Sequence, residues 1–207
     1  ESGCEWGCFD YSQQEPRLVV HYASLDQDTS VFNVKDAYNA GDADFHTIVA
    51  KMADIPRDAA KTINLGLFYG MGKAKLQAEL GVSKDKAEEL FSIYHERVPF
   101  VKSLTRSVSN RAQQRGQIRT LLGRLCRFHL WEPNSFGMHK ALPFDQAVQE
   151  HGPGIKRAYT YKALNKLIQG SAADMTKKSM LELYKEGIVA HIQVHDELDI
   201  SVEDDKK

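Results

Sequence analysis

The 207 residues predict an α+β chain, mostly helical, and three observations predict it. Apolar residues recur at helical spacing over most of the length, and the runs open on capping residues or prolines. Short apolar runs suited to strands stand near the two ends of the chain. One middle stretch, 129–154, carries three prolines and three glycines and reads as a long loop. No internal repeat is present, and the two ends are expected to meet in a small antiparallel sheet.

The elements follow in order. Residues 4–9 are short and aromatic and suit a strand ending at Asp10. Residues 13–23 read as a helix, and the polar stretch 26–44, punctuated by Gly41, as a loop with a short helix. Asp44 is the candidate N-cap of a helix through residue 52. Asp54 and Pro56 open the next helix, since proline is tolerated in the first turn; it runs to about residue 69 and stops at Gly70 and Gly72. Ser83, followed by Asp85, Glu88 and Glu89, starts a helix in the manner of a capping box. Pro99 opens a helix to residue 115, and 117–128 form a hairpin around Gly123. Residues 156–186 read as one long helix, with Gly170 the place for any bend. Two strands, 188–194 and 198–202, are joined by His195-Asp196-Glu197.

Composition excludes several classes. Apolar types make up 42%, charged types 27%, and the net charge is −1, which no disordered, collagen-like or mucin-like chain shows. No apolar run approaches the ~18 residues of a membrane-spanning helix, and no leader peptide opens the chain. Cys4, Cys8 and Cys126 cannot all pair, and Cys4 and Cys8 lack the two further partners of a zinc site; a reduced, intracellular setting is the expectation, and with it a cytoplasmic localisation. The first residue is Glu1 and the end is a charged stretch, so a piece of a longer protein is expected.

Charge is segregated. Residues 1–55 hold ten acids and three bases. Eight bases and no acid stand between Arg97 and Trp131, seven bases and two acids lie in 156–185, and six acids and no base in 193–205. This pattern fits one surface for a polyanion and another for cations, and equally a set of solvated helix faces.

Two groups of residues could carry chemistry. Asp10 and Asp196 belong to the same expected sheet; carboxylates brought together repel unless cations lie between them, and magnesium takes such hard oxygen ligands. An Asp in a turn is also common on its own account. Arg57, Lys61, Leu65 and Tyr69 are spaced four apart on one helix face, cationic first and apolar or aromatic after. Arg57 to Leu65 spans ~12 Å along the axis. A nucleoside triphosphate has the matching polarity, and the helix dipole adds to the cationic end. The spacing fits an amphipathic helix with two surface bases as well.

These residues carry a resemblance. Asp10-Tyr11-Ser12-Gln13-Gln14-Glu15-Pro16-Arg17 resembles motif A of the family A, DNA polymerase I-like, DNA polymerases. Arg57 to Gly70 resembles motif B, the nucleotide-binding helix of the fingers, and Gln193-Val194-His195-Asp196-Glu197 resembles motif C. Gly116, Thr120, Gly123 and Arg124 fit a further family pattern, as do Asn165, Gln169-Gly170 and Ala172-Ala173-Asp174. The matches stand in the family's order and cover nearly the whole chain.

The resemblance implies the fingers and partial palm of a right-hand polymerase. Palm segments would be 1–27 and 156–207 and the fingers 28–155, with the thumb and any exonuclease domain absent. It implies a DNA-directed DNA polymerase in which Asp10 and Asp196 hold two magnesium ions (Mg2+) and Glu197 supports them. Arg57 and Lys61 would grip the triphosphate, with Lys61 a proton donor to the leaving group. Leu65 and Tyr69 would lie along the incoming nucleotide, and Glu15 would be the steric gate against a ribose 2′-hydroxyl. Gln13 would touch sugar, template or minor groove, and His46 the phosphates. Arg124, Asn165, Gln169, His195 and Tyr161 would contact DNA. Template-primer DNA and dNTPs are the implied partners, with replication accessory proteins beside them and no membrane. Pro16, Leu65 and Tyr161 depart from the usual family residues, and with Trp131-Glu132-Pro133 give the chain a bacteriophage look. A single-subunit RNA polymerase-like enzyme and a non-catalytic nucleic-acid-binding fragment are the alternatives; Glu15 and His195-Asp196-Glu197 speak against the first.

Overall fold

The two ends of the chain meet in one antiparallel sheet, β1-β8-β7. The computed structural model describes residues 3–26, 28–41, 44–68, 73–135, 137 and 139–203, without the side chains of 67 and 203. Strand β1 (Cys4–Asp10) pairs along its whole length with β8 (Glu197–Glu203), from Cys4 opposite Glu203 to Asp10 opposite Glu197. Strand β7 (Ile192–Val194) closes the hairpin on the other side of β8. Central β8 alternates apolar and polar residues, with Leu198 and Ile200 buried on one face and Asp199 buried on the other.

The helices between these ends build the core. They are α1 (Gln14–Leu25), α2 (Phe32–Asn39), α3 (Phe45–Ala53), α4 (Arg57–Phe68), α5 (Lys73–Leu80), α6 (Lys84–Arg97) and α7 (Pro99–Arg115). The start signals hold. Asp44 accepts from the His46 N–H at 3.0 Å, Ser83 accepts from the Lys86 N–H at 3.2 Å, and Pro99 opens α7. Gly116, at φ 67, ends α7 in the left-handed conformation that L side chains resist. Pro16, the third residue of α1, does not delay that helix, because first-turn N–H groups have no partner in the helix anyway. Phe45, Phe68 and Phe100 meet at about 6 Å between ring centroids, and with Tyr94, Ile63, Leu104, Leu164 and Ile168 they are sealed from water. Each such burial contributes roughly 1.5–3 kcal/mol before entropy is counted.

Three expectations need correction. First, 129–154 is no loop. It folds into β4 (Leu130–Pro133), β5 (Leu142–Pro143) and α8 (Phe144–His151), with β6 (Ile155–Arg157) paired to β4, so that Trp131 stands opposite Arg157. Strands of two to four residues are too short to show a period, and here each is made by its pairing partner: β4 and β5 by each other, and β4 also by β6 just beyond the stretch. Arg157 seals the joint, its guanidinium 4.5 Å over the Trp131 ring and its Nη1 donating to the Phe128 carbonyl at 3.0 Å. Second, the long helix, α9 (Ala163–Lys185), begins seven residues later than expected because Ile155–Arg157 is used as strand. Third, β7 is three residues long, and Glu197 belongs to β8, leaving a two-residue turn of His195 and Asp196. Helix α5, in a stretch without an expectation, is short and buries Leu76. The stops at Gly70 and Gly72 lie outside the described residues.

Gly170 lies in close contact with a neighbouring hairpin. The hairpin of β2 (Gln117–Arg119) and β3 (Leu125–Arg127), centred where expected, lies against α9. A Cβ on Gly170 would sit 2.8 Å from Thr120 Cγ2. Thr120 Oγ1 donates to Asp174, Arg124 Nε reaches Asp174 at 2.8 Å, and Arg124 Nη2 donates to the Gly170 carbonyl at 2.7 Å. Burial would push the Asp174 carboxyl up, but these donors together hold it below the ordinary range.

Candidate active site

Asp10 and Asp196 arrive at one edge of the terminal sheet. Asp10 is opposite Glu197 in the register, and the Tyr11 N–H donates to the Asp196 carbonyl at 3.4 Å. His195 turns the chain with φ 54, and its carbonyl accepts from Gln193 Nε2 at 2.6 Å. Strand pairing therefore brings to one end of the sheet acidic residues that stand at opposite ends of the sequence. Asp10 is exposed, and Asp196 and Glu197 are half-buried. Loss of water, and then the negative charge of Asp199, Asp10 and Asp196, push the Glu197 carboxyl up. A divalent cation with oxygen ligands would relieve that crowding.

Helix α4 presents the second half of the site. Its buried face is Ala60, Ile63, Asn64 and Phe68, and Gly66 is buried as well. Arg57 and Lys61 are exposed one turn apart, and Leu65 is half-buried one turn further on. Tyr69 lies outside the described residues. The Arg57 guanidinium turns back to the start of α3, 2.8 Å from Asp44, and its Nε also reaches Thr47 Oγ1 at 3.2 Å. Burial would raise the Asp44 carboxyl, but the Thr47, Arg57 and His46 N–H donors outweigh it and hold the pKa at about 2.

A bonded path connects the two halves. Gln13, left-handed at φ 55 between β1 and α1, accepts through Oε1 from the Phe45 N–H at 2.8 Å and from the Tyr38 hydroxyl at 3.0 Å. Phe45 follows Asp44, which holds Arg57. So three residues beyond Asp10 the chain is tied to the α3 N-terminus, and through it to the cationic end of α4. Glu15, half-buried in the first turn of α1, stands beside this junction in sequence.

Behind Arg57 and Lys61 runs a buried polar chain. His46 Nδ1 lies 3.1 Å from the Asn64 amide nitrogen, and the Tyr94 hydroxyl donates to the Asn64 carbonyl oxygen. Burial lowers the His46 pKa, Asp44 opposes that, and Arg57 and Lys61 add to it. A neutral ring with Nδ1 accepting from Asn64 carries its proton on Nε2.

The remaining expected residues are spread along α9 and the hairpins. Asn165 and Gln169 share one face of α9, and Tyr161 is exposed in the 3₁₀ turn before it, with Lys162 Nζ 5.6 Å from its ring centroid. Arg124 is half-exposed, with its guanidinium on Asp174 and Gly170. His195 is exposed at the hairpin turn. Sequence reasoning passed over Asn64, Tyr94 and Asp199. An Asn between Ile63 and Leu65 on an apolar helix face was the available signal for the first; the other two become visible only through tertiary contact.

The whole chain, residues 1–207, matches the family model described as DNA polymerase family A. It is 34% identical to a DNA-directed DNA polymerase of Pseudomonas phage M6, over all of this chain and 34% of that protein. It is 30% identical to DNA polymerase I of Helicobacter pylori, over 94% of this chain and 20% of that protein. Its structure is similar, with a TM-score of 0.72 and 28% identity, to the POL domain of Pol1 from M. smegmatis in complex with DNA primer-template and dNTP, covering 98% of this chain and 34% of that one. The chain thus spans about a third or less of the length of these relatives. No helix among the described residues is long and apolar enough to cross a membrane. With three sequence motifs in order, all joined by the described contacts, and a match over its full length, the chain belongs to the family A DNA polymerases.

Proposed function

We propose that this chain is the central part of a DNA-directed DNA polymerase, with 1–27 and 156–207 in the palm and 28–155 in the fingers. The observation that carries the reading is the bonded path from the Asp10 strand through Gln13 and the α3 N-terminus to Arg57. It holds a cation-type acid edge and a triphosphate-type cationic helix in one frame.

The donor set fits magnesium: Asp10 and Asp196 offer hard carboxylate oxygens at one sheet edge, and the raised Glu197 carboxyl marks local excess negative charge. When bound there, such ions supply activation of a hydroxyl nucleophile and neutralisation of phosphate charge. The chain's own residues do the rest. Arg57 and Lys61 bind the triphosphate; Arg57 is pre-aimed by Asp44 and Thr47, so little side-chain entropy is lost on binding. Lys61 gives a proton to the leaving pyrophosphate oxygen. His46 offers its Nε2–H to a phosphate oxygen. Leu65 and Tyr69 flank sugar and base, and Glu15 excludes a 2′-hydroxyl. Asn165, Gln169, Arg124, Tyr161 and His195 contact template-primer DNA, the ligand that the M. smegmatis relative was solved with.

The test is equilibrium binding of a dNTP with magnesium to this chain, wild type against Lys61→Ala. Binding that falls about tenfold, ~1.4 kcal/mol, is expected. Binding indifferent to Lys61 would remove α4 from the nucleotide site.

A further inference from the structure

One cluster of ligating side chains holds two residues, Cys8 and Asp199, that this reading does not use, beside Glu197, which it does. Cys8 stands opposite Asp199 in the β1–β8 pairing, and Glu197 lies two residues before Asp199 on β8. Alternation puts all three on one sheet face, the face opposite the buried Leu198 and Ile200. One ligand atom from each lies within 4.8 Å of the others. Asp199 is only 8% exposed, and its buried Oδ1 has no hydrogen-bond partner. A buried acceptor left unpaired costs about 1–3 kcal/mol, more when charged. The sheet thus holds a buried carboxylate with one unpaired oxygen, within 4.8 Å of a thiol and a second carboxylate.

We propose that Cys8, Glu197 and Asp199 form a site for a borderline divalent cation of the zinc class, beside the Asp10–Asp196 edge. A thiolate with two carboxylates suits zinc or cobalt better than magnesium, whose ligands are oxygens alone. Ligands of a tetrahedral zinc lie about 3.5 Å apart, so the three groups need to draw together by roughly 1 Å, within reach of rotamer adjustment. Binding releases the Cys8 thiol proton to water as the metal–sulfur bond forms, so affinity rises with pH. The fourth position is open to water. Sequence spacing set aside Cys4 and Cys8 as a pair, and strand pairing supplies the missing ligands from the other end of the chain. The site does not rest on the polymerase reading, and its cation would neutralise the crowding that Glu197 shares with Asp10 and Asp196.

The experiment is cobalt titration of the full chain, followed by near-ultraviolet absorption. Expected is a thiolate-to-cobalt charge-transfer band that Zn2+ displaces and Mg2+ in large excess does not. Cys8→Ser abolishes the band, and Asp199→Asn weakens cobalt binding by about tenfold, ~1.4 kcal/mol, with circular dichroism confirming both folds. In the unaltered protein, Zn2+ slows alkylation of Cys8, read by mass spectrometry, with Cys4 and Cys126 as internal controls. No band, a band that survives Cys8→Ser, or Cys8 alkylation unchanged by Zn2+ overturns the proposal. Cobalt binding that Asp199→Asn leaves unchanged also overturns it.

Discussion

Asn64→Leu is the sharpest perturbation of the nucleotide helix that leaves its exposed face untouched. Asn64 and Tyr94 are fully buried and His46 is 9% exposed. Leucine has the branching and heavy-atom count of asparagine, though its methyls are bulkier, and the substitution orphans two buried groups at once: the Tyr94 hydroxyl and His46 Nδ1. Each orphan costs about 1–3 kcal/mol, and the greater apolarity of leucine returns part of the sum, leaving roughly 2–4 kcal/mol lost. In a chain of this length each kcal/mol moves the melting temperature by about 2–4 °C, so a fall of roughly 4–16 °C is expected. The assay is urea unfolding followed by circular dichroism, with the slope checked for constancy. Adding Tyr94→Phe removes one orphan, so the double variant must be more stable than additivity predicts, by about 1 kcal/mol. A single-variant loss under ~0.5 kcal/mol, or a strictly additive cycle, refutes the buried chain.

Other outcomes follow from the same contacts. Gly170→Ala, which helix propensity alone would favour by about 1 kcal/mol, is expected to destabilise, because its Cβ would meet Thr120 Cγ2 at 2.8 Å; a raised melting temperature would contradict the tight hairpin contact. Asp44 is held at a pKa of about 2 in the fold, below its unfolded value. Its contribution is therefore present above roughly pH 4 and lost as pH falls toward 2, and Asp44→Asn, which keeps the cap, should flatten that part of the stability–pH curve. His46 has a lowered pKa in the fold, so the unfolded chain takes up its proton first as pH drops below about 6.5. Stability should fall in that window, and His46→Gln should remove the slope. If Glu15 is the sugar gate, Glu15→Ala in a polymerase that carries this segment should admit ribonucleotides in primer extension; unchanged discrimination would assign the gate elsewhere.

How far the sequence could be read depended on where the determining contacts lie. The helix starts at Asp44, Ser83 and Pro99 were legible because each is set by atoms within one turn. The sheet of the chain ends was legible for a different reason: short apolar and aromatic runs stand at both ends of the chain, each next to an acid, Asp10 or Asp196. The stretch 129–154 was not legible, because β4 exists only through β5 and β6, and a two-residue strand has no period of its own. Gly170 illustrates the same limit, since nothing on α9 announces that Thr120 will lie against it. The exposed Arg57–Lys61–Leu65 face could be read from spacing, whereas the Asn64–Tyr94–His46 chain behind it could not. The face announces a ligand by polarity along one helix; the chain behind it needs three helices docked before any of its bonds exists. Cys8 and Asp199 belong to that second kind. Their meeting depends on a strand register that only the folded sheet establishes, which is why a composition of three scattered cysteines argued against a metal while the sheet places one beside two carboxylates.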